Sequence, residues 1–219
     1  KIGILSSGGD APGMNAAIRA VTRRALSQGI EVVGILGGYA GLLGAADESD
    51  PDVIREKHLR PLDAHSVSNI VTRGGTILYS SRCPEFKTEA GMAKALRVCH
   101  EQSIDAIIAI GGDGTFRGAT DLTNHGIPSI GIPGTIDNDI TATELTIGFD
   151  TALNTCLRMI DDLRDTAESH ARCIITEVMG NGCGLLALYT GIAAGAISIA
   201  IPEIPFDLAH YQAFWNPTL

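Results

Sequence analysis

Short aliphatic runs alternate along this chain with amphipathic stretches of helical period. Ile2 to Leu5 reads as a strand, and Met14 to about Gln28 as a helix whose stripe Met14, Ile18, Val21, Ala25 recurs every three or four residues. Ile30 to Leu36 is the next strand. Residues 37–64 read as loop, with a Gly-Gly-Tyr-Ala-Gly turn and then a charged, proline-bounded insertion from Asp47 to Arg60. Ser66 to Thr72 suggests a short helix. Met92, Ala95, Leu96 and Cys99 mark another, which leads into a strand at Ile104 to Ile110. Ile127 to Ile132 reads as a further buried strand. Beyond it come a long helix carrying Leu153, Cys156, Leu157, Ile160 and Leu163, a strand Cys173 to Val178, a helix Leu185 to Ala194 and a strand Ile197 to Ile201. Such alternation predicts an α/β fold, a parallel sheet with helices on both faces. Ligands of such sheets bind beyond the carboxyl ends of the strands.

Three glycine-rich segments fall at those ends. Pro133-Gly134-Thr135-Ile136-Asp137-Asn138-Asp139 places two carboxylates two residues apart after an apolar run. An acid leaving a buried strand costs stability unless its charge has a use. Gly111-Gly112-Asp113-Gly114-Thr115 follows Ile107 to Ile110; glycines there let N–H groups approach phosphate oxygens, and the acid can hold the accompanying magnesium. Gly8-Gly9-Asp10 precedes the first helix, whose N-terminus attracts anions. One strand end suited to phosphates and metal and another to proton removal suggest phosphoryl transfer to an alcohol.

The bulk properties restrict the partners. Net charge is −9, which argues against nucleic acid or an acidic membrane, so an anionic substrate would have to meet local arginines. Five cysteines show no Cys-x-x-Cys pair and leave one over, as expected of reduced thiols in a cytoplasmic protein. No apolar run approaches membrane-spanning length, and no signal peptide precedes the first strand. The six histidines lack metal-ligand spacing and receive no role.

Ser7-Gly8-Gly9-Asp10-Ala11-Pro12-Gly13-Met14-Asn15, Gly111-Gly112-Asp113-Gly114 and the run from Pro133 to Asp139 resemble, in order and spacing, the 6-phosphofructokinase family. Arg164-Asp165-Thr166, Ser169-His170 and Glu177-Val178-Met179-Gly180 extend the likeness to about Phe206. The resemblance implies a doubly wound, Rossmann-like nucleotide domain over 1–148 and part of a smaller α/β sugar-phosphate domain over 149–219. It implies ATP-dependent transfer of the γ-phosphoryl group to the 1-hydroxyl of fructose 6-phosphate, with Mg2+ as cofactor, in a cytoplasmic homotetramer. Asp137 then resembles the base that draws the sugar proton, Asp139 assists through the metal or its waters, and Thr135 hydrogen-bonds the transferring group. Gly8, Gly9, Arg82, Cys83, Gly112, Asp113, Gly114, Thr115 and Gly118 match nucleotide positions, with Asp113 on the metal. Arg172, Met179, Gly180 and Asn181 match the sugar-phosphate site, and Arg19, Arg23, Arg164 and Gly195 an effector site for a nucleotide diphosphate or phosphoenolpyruvate.

Departures are local. Cys83 stands where the family commonly has an aromatic residue, and Asn181 where its kinases usually have an arginine, whose bidentate charged contact an amide does not replace. Ala64, Asn69 and Ile197 replace polar partners of the effector pocket. Gly114 and Gly134 favour ATP, because pyrophosphate-using relatives tend to carry Asp and Lys there. The leading expectation is an ATP-dependent 6-phosphofructokinase. The alternatives are a truncated or non-catalytic paralogue that binds nucleotide or sugar phosphate, and third a pyrophosphate-dependent enzyme; an NAD kinase is remote. The family's His-x-Gln-Arg-Gly-Gly segment is absent and the chain ends after a helix-like stretch, Tyr211 to Trp215, so a shortened form with poor turnover is expected.

Overall fold

A computed structural model describes residues 1–141 and 143–209. The chain divides into two compact units, Lys1–Thr135 and Ile136–Leu219. The expected stretch Tyr211 to Trp215 lies outside the described residues.

The first unit is a sheet in the order β3-β2-β1-β4-β5, built from β1 (Ile2–Ser7), β2 (Val32–Ile35), β3 (Leu59–Leu62), β4 (Ala106–Gly111) and β5 (Ser129–Thr135). β1 lies parallel between β2 and β4, and β5 runs parallel to β4, with Ile4 opposite Gly34 and Ile108. β3 alone is antiparallel to its neighbour. Its Leu59 and Leu62 are buried while Arg60 and Pro61 are exposed, and proline is tolerated on an outer strand, where an N–H partner is dispensable.

Alternate residues of the strands face opposite ways. Leu5, Ile35, Ile107 and Ala109 pack into one core with α2 (Tyr39–Asp47), α4 (Glu89–Glu101) and α5 (Asp113–Asn124). On the other face Met14 of α1 (Met14–Ser27) lies beside Ile110, close enough that both would touch a side chain at Gly134. Each fully buried aliphatic side chain contributes about 1.5–3 kcal/mol. α1 ends where Gly29 takes φ 72 and Ile30 N–H donates to the Ala25 carbonyl at 3.0 Å, and the chain turns directly into β2.

The segment 37–64 departs from the expected loop. It holds α2, α3 (Pro51–Lys57) and β3, because Asp50 caps the Asp52 N–H at 2.9 Å and Pro51 opens a helix whose charges face water. Ser66 to Thr72 forms turns rather than a helix. The expected buried strand at 127–132 is half-open: Ile127 is buried, but Ile130 of β5 is 64% exposed.

The second unit contains a two-residue strand β6 (Ile147–Gly148), α6 (Phe149–Ser169) and α7 (Leu185–Ala194). Phe149 and Tyr189 meet edge to face at 6.0 Å, and the Arg164 guanidinium donates to the Ala194 carbonyl at the end of α7. The strands expected at Cys173–Val178 and Ile197–Ile201 do not form. An aliphatic run becomes a strand only where a neighbour supplies a ladder, and Ile175 and Ile197 are both 77% exposed.

Candidate active site

The carboxyl ends of β1 and β4 are built by two kinds of glycine. A Cβ on Gly111 would lie 2.3 Å from Thr115 Oγ1 and 2.6 Å from the Ser7 carbonyl, so this glycine is demanded by packing. Gly118 is demanded likewise, by the Tyr39 ring at 2.7 Å. Gly9 and Gly114 meet nothing within 4 Å, Gly112 meets only Thr135 Cβ at 3.9 Å, and none of the three has a positive φ. Neither conformation nor crowding inside the chain explains them. What they leave is open space around backbone N–H groups at the starts of α1 and α5, a cradle that side chains would fill.

A polar web holds this rim. Ser80 Oγ donates to the Gly8 carbonyl at 2.6 Å, Gly8 N–H reaches the Ser81 carbonyl at 3.4 Å, and Ser6 Oγ donates to the Tyr79 carbonyl at 3.0 Å. These bonds fix the segment bearing exposed Arg82 against the end of β1. Buried Asn15 donates to the Arg73 carbonyl at 3.0 Å and accepts from Ile77 N–H at 2.8 Å, tying α1 to the same segment. Sequence reasoning assigned no role to Ser6, Asn15 or Tyr39. The available signal was a polar pair, Ser6-Ser7, ending an otherwise apolar strand.

The other nucleotide candidates separate by burial. Thr115 is buried, with its hydroxyl on the Ser7 carbonyl at 2.8 Å and its own carbonyl accepting from Tyr39 OH at 2.7 Å. Cys83 packs against the core. Asp113 is exposed on the first turn of α5 and pairs with Arg117 at 2.8 Å. No three His, Cys, Asp or Glu side chains form a metal cage among the described residues. Magnesium commonly takes one or two carboxylates and completes its shell with phosphates and water, and accessible Asp113 fits that need.

In the second unit Asp137 is half-buried. Burial pushes its carboxyl above the ordinary carboxylate range and the charge of Asp139 adds to the shift, which makes it a better proton acceptor. Asn138 takes φ 54 and accepts from Thr146 N–H at 2.8 Å, so its side chain sets the path between the two acids. Asp139 is exposed, and Thr135 closes β5 two residues before Asp137.

The sugar-phosphate candidates show a turn. Gly180 carbonyl accepts from Cys183 N–H at 2.8 Å, with Asn181 at φ 45 and Gly182 at φ 88. Two positive φ values at the centre define a type I′ turn, for which Asn-Gly is preferred. Turn chemistry therefore accounts for Asn181. Met179 and Arg172 are exposed on the same unit. Of the effector candidates, Arg19 and Arg23 lie on α1 in the first unit. Arg164 is engaged with Asp161 at 3.2 Å and with the end of α7, where Gly195 has φ 67.

A mostly parallel sheet flanked by helices, with open glycines at its strand ends, defines an α/β protein of the doubly wound class. The chain belongs to the phosphofructokinase family, whose profile matches residues 1–215. The ATP-dependent 6-phosphofructokinase of Halothermothrix orenii is 54% identical over 209 residues, 95% of this chain and 59% of the relative. That of Halalkalibacterium halodurans is 52% identical over 208 residues, 95% of this chain and 61% of the relative. Phosphofructokinase from Saccharomyces cerevisiae superposes with a TM-score of 0.85 at 36% identity, covering 97% of this chain and 30% of that one. A pyrophosphate-dependent phosphofructokinase from Nitrosospira multiformis shares the fold, with a TM-score of 0.77 at 21% identity over 97% of this chain and 56% of that one. The chain spans about 60% of the length of the curated relatives it matches.

Proposed function

We propose that the protein acts as an ATP-dependent 6-phosphofructokinase, moving the γ-phosphoryl group of ATP to the 1-hydroxyl of fructose 6-phosphate. The observation that carries this reading is the set of open glycines, Gly9, Gly112 and Gly114, which no internal contact explains. In this reading their N–H groups receive the nucleotide phosphates with Arg82. Asp113 holds Mg2+, which would neutralise charge on the transferring group. Asp137, made more basic by burial, accepts the proton of the sugar hydroxyl, and Asp139 supports it. Phosphoryl transfer depends chiefly on positioning and charge neutralisation, so few side chains are needed. Relatives named as ATP-dependent enzymes at 51–54% identity support ATP over pyrophosphate. A cytoplasmic homotetramer answering to a nucleotide diphosphate or phosphoenolpyruvate belongs to the same proposal. No helix among the described residues is long and apolar enough to cross a membrane.

A protein that binds nucleotide without turnover is the second reading, favoured by Asn181 at the position where family kinases usually carry a guanidinium. A coupled assay crossing ATP or pyrophosphate with fructose 6-phosphate separates the readings, with calorimetry of Mg-ATP on parent and Asp113→Asn beside it. Turnover with ATP alone is expected, together with a magnesium dependence of binding that Asp113→Asn weakens. Binding without turnover would install the second reading, and absence of both would remove the nucleotide assignment.

A further inference from the structure

At the amino ends of β1 and β2, the other end of the strands from the glycine-rich turns, the first unit encloses a cavity of about 530 Å³. Lys1 and Glu31, just before β1 and β2, and Gln102, just after α4, stand at its rim. Val33 and Leu62 of β2 and β3 line it, with Ile54 and Arg55 of α3. The volume lies in the range that holds a small organic molecule. Backbone bonds fix the walls. Ile2 N–H donates to the Glu31 carbonyl and Asp105 N–H to the Lys1 carbonyl, both at 2.9 Å. The His58 carbonyl, directly after α3, accepts from Leu36 N–H at 2.8 Å and ties that helix to the end of β2. α3 buries none of its seven residues, and Ile54 packs only partly against the core, so burial alone gives this wall little reason to stand where it does.

Three charged side chains line the cavity, and two of them answer each other. Lys1 Nζ lies 3.6 Å from the Glu31 carboxylate and donates to the Gln102 carbonyl at 3.1 Å. The Arg55 guanidinium makes no ion pair or hydrogen bond among the described residues. An unpaired guanidinium beside aliphatic walls suits a ligand with an apolar body and a carboxylate, which its planar fork can hold through two hydrogen bonds. Glu31 at the same rim disfavours a second negative charge, so phosphate esters fit poorly. We propose that this cavity binds a small amphipathic monocarboxylate, with its apolar chain against Val33, Ile54 and Leu62 and its carboxylate on Arg55. The site lies away from the glycine-rich turns, and the inference does not rest on the nucleotide reading.

Octanoate, octanol and octyl phosphate share a body and differ in the head group, and methyl NMR titrations of the whole chain compare them. Octanoate should give saturable shifts at the methyls of Val33, Ile54 and Leu62, and hexanoate should bind about tenfold more weakly, because two fewer methylenes leave water. Arg55→Gln changes an exposed side chain and should weaken octanoate about tenfold while octanol stays within about twofold. Octyl phosphate should bind the parent more weakly than octanoate. Ile54→Phe, which fills the cavity, should weaken octanoate and octanol alike. Shifts confined to Ile175 and Ile197, exposed in the second unit, would overturn the inference, since they would report adsorption to open apolar surface. Shifts that fail to saturate would do the same. So would an Arg55→Gln variant that keeps its octanoate affinity or loses octanol equally, and so would octyl phosphate binding as tightly as octanoate.

Discussion

Helices α1 and α6 carry the same kind of apolar stripe and meet different surroundings. α1 buries Met14, Ile18 and Ala25 along with Asn15 and Thr22 within 14 residues. α6 is 21 residues long and buries only Phe149, leaving Met159 62% and Leu163 39% exposed. The contrast extends to the units that hold them. Among the described residues the buried hydrophobics of the second unit are Ile140, Phe149, Leu186 and Ala194, and all the others lie in the first. A stripe defines a face of a helix, not what covers it. The first unit therefore holds most of the stabilising burial and the open glycines proposed to take phosphate, whereas the second carries Asp137, the proposed base. Binding and chemistry should be separable by mutation.

The largest effect tests that separation. Asp137→Ser is expected to lower kcat about 10³-fold, about 4 kcal/mol of barrier, while Mg-ATP affinity stays within about twofold. Steady-state kinetics beside an ATP titration measure both. Turnover within about tenfold of the parent would end the base assignment, and a matching fall in ATP affinity would break the division between the units.

Next in size is the contrast in burial. Ile107→Ala removes a fully buried side chain from β4 and should cost about 3 kcal/mol in urea unfolding. Leu163→Ala, on the open stripe of α6, should cost less than about 1 kcal/mol. Equal losses would show that the stripe is covered in solution.

Where the sequence was informative, two signals agreed. β1, β4, α1, α4, α6 and α7 carry both the right period and helix or strand ends that match it, such as Gln28-Gly29 after α1. α2 and α3 were missed because glycines and charges hid weak helical propensity, although Asp50-Pro51 was a legible start signal. The runs at 173–178 and 197–201 misled because strand formation depends on a partner, which no local pattern reports. At the site, the motifs were legible and the jobs of their glycines were not. A Cβ on Gly111 would crowd Thr115 and the Ser7 carbonyl while one on Gly114 would meet open space, a fact of tertiary packing. The positive φ of Tyr79 left no sequence trace, while Asn181-Gly182 could have been read as a turn.

The two kinds of glycine give a smaller but sharper test within the first unit. Gly118→Ala pushes a methyl against the Tyr39 ring at 2.7 Å and should cost about 1–3 kcal/mol. Gly114→Ala meets nothing and lies inside α5, so stability should hold or rise by up to about 1 kcal/mol. Yet Gly114→Ala should weaken Mg-ATP, because the methyl enters the open space that the proposed function gives to phosphate. Denaturant midpoints and calorimetry together decide it; a destabilised Gly114→Ala with unchanged ATP affinity would place Gly114 among the packing glycines.

The smallest effect concerns the acid itself. Burial, then the charge of Asp139, raises the Asp137 carboxyl above its ordinary value. Between the unfolded value and the raised folded one, the native chain binds more protons than the unfolded chain, so stability falls as pH rises through that window. Above it the charged, half-buried carboxylate carries its full penalty; below both values the penalty is absent. Asp137→Asn keeps the shape and removes the titration. The variant should therefore unfold at slightly higher urea than the parent at pH 7, and the gap should close as the pH is lowered through the carboxylate range. A gap of the opposite sign, or one that widens toward acid, would mean that the native state favours the charged form of Asp137 and would reverse the argument for its basicity.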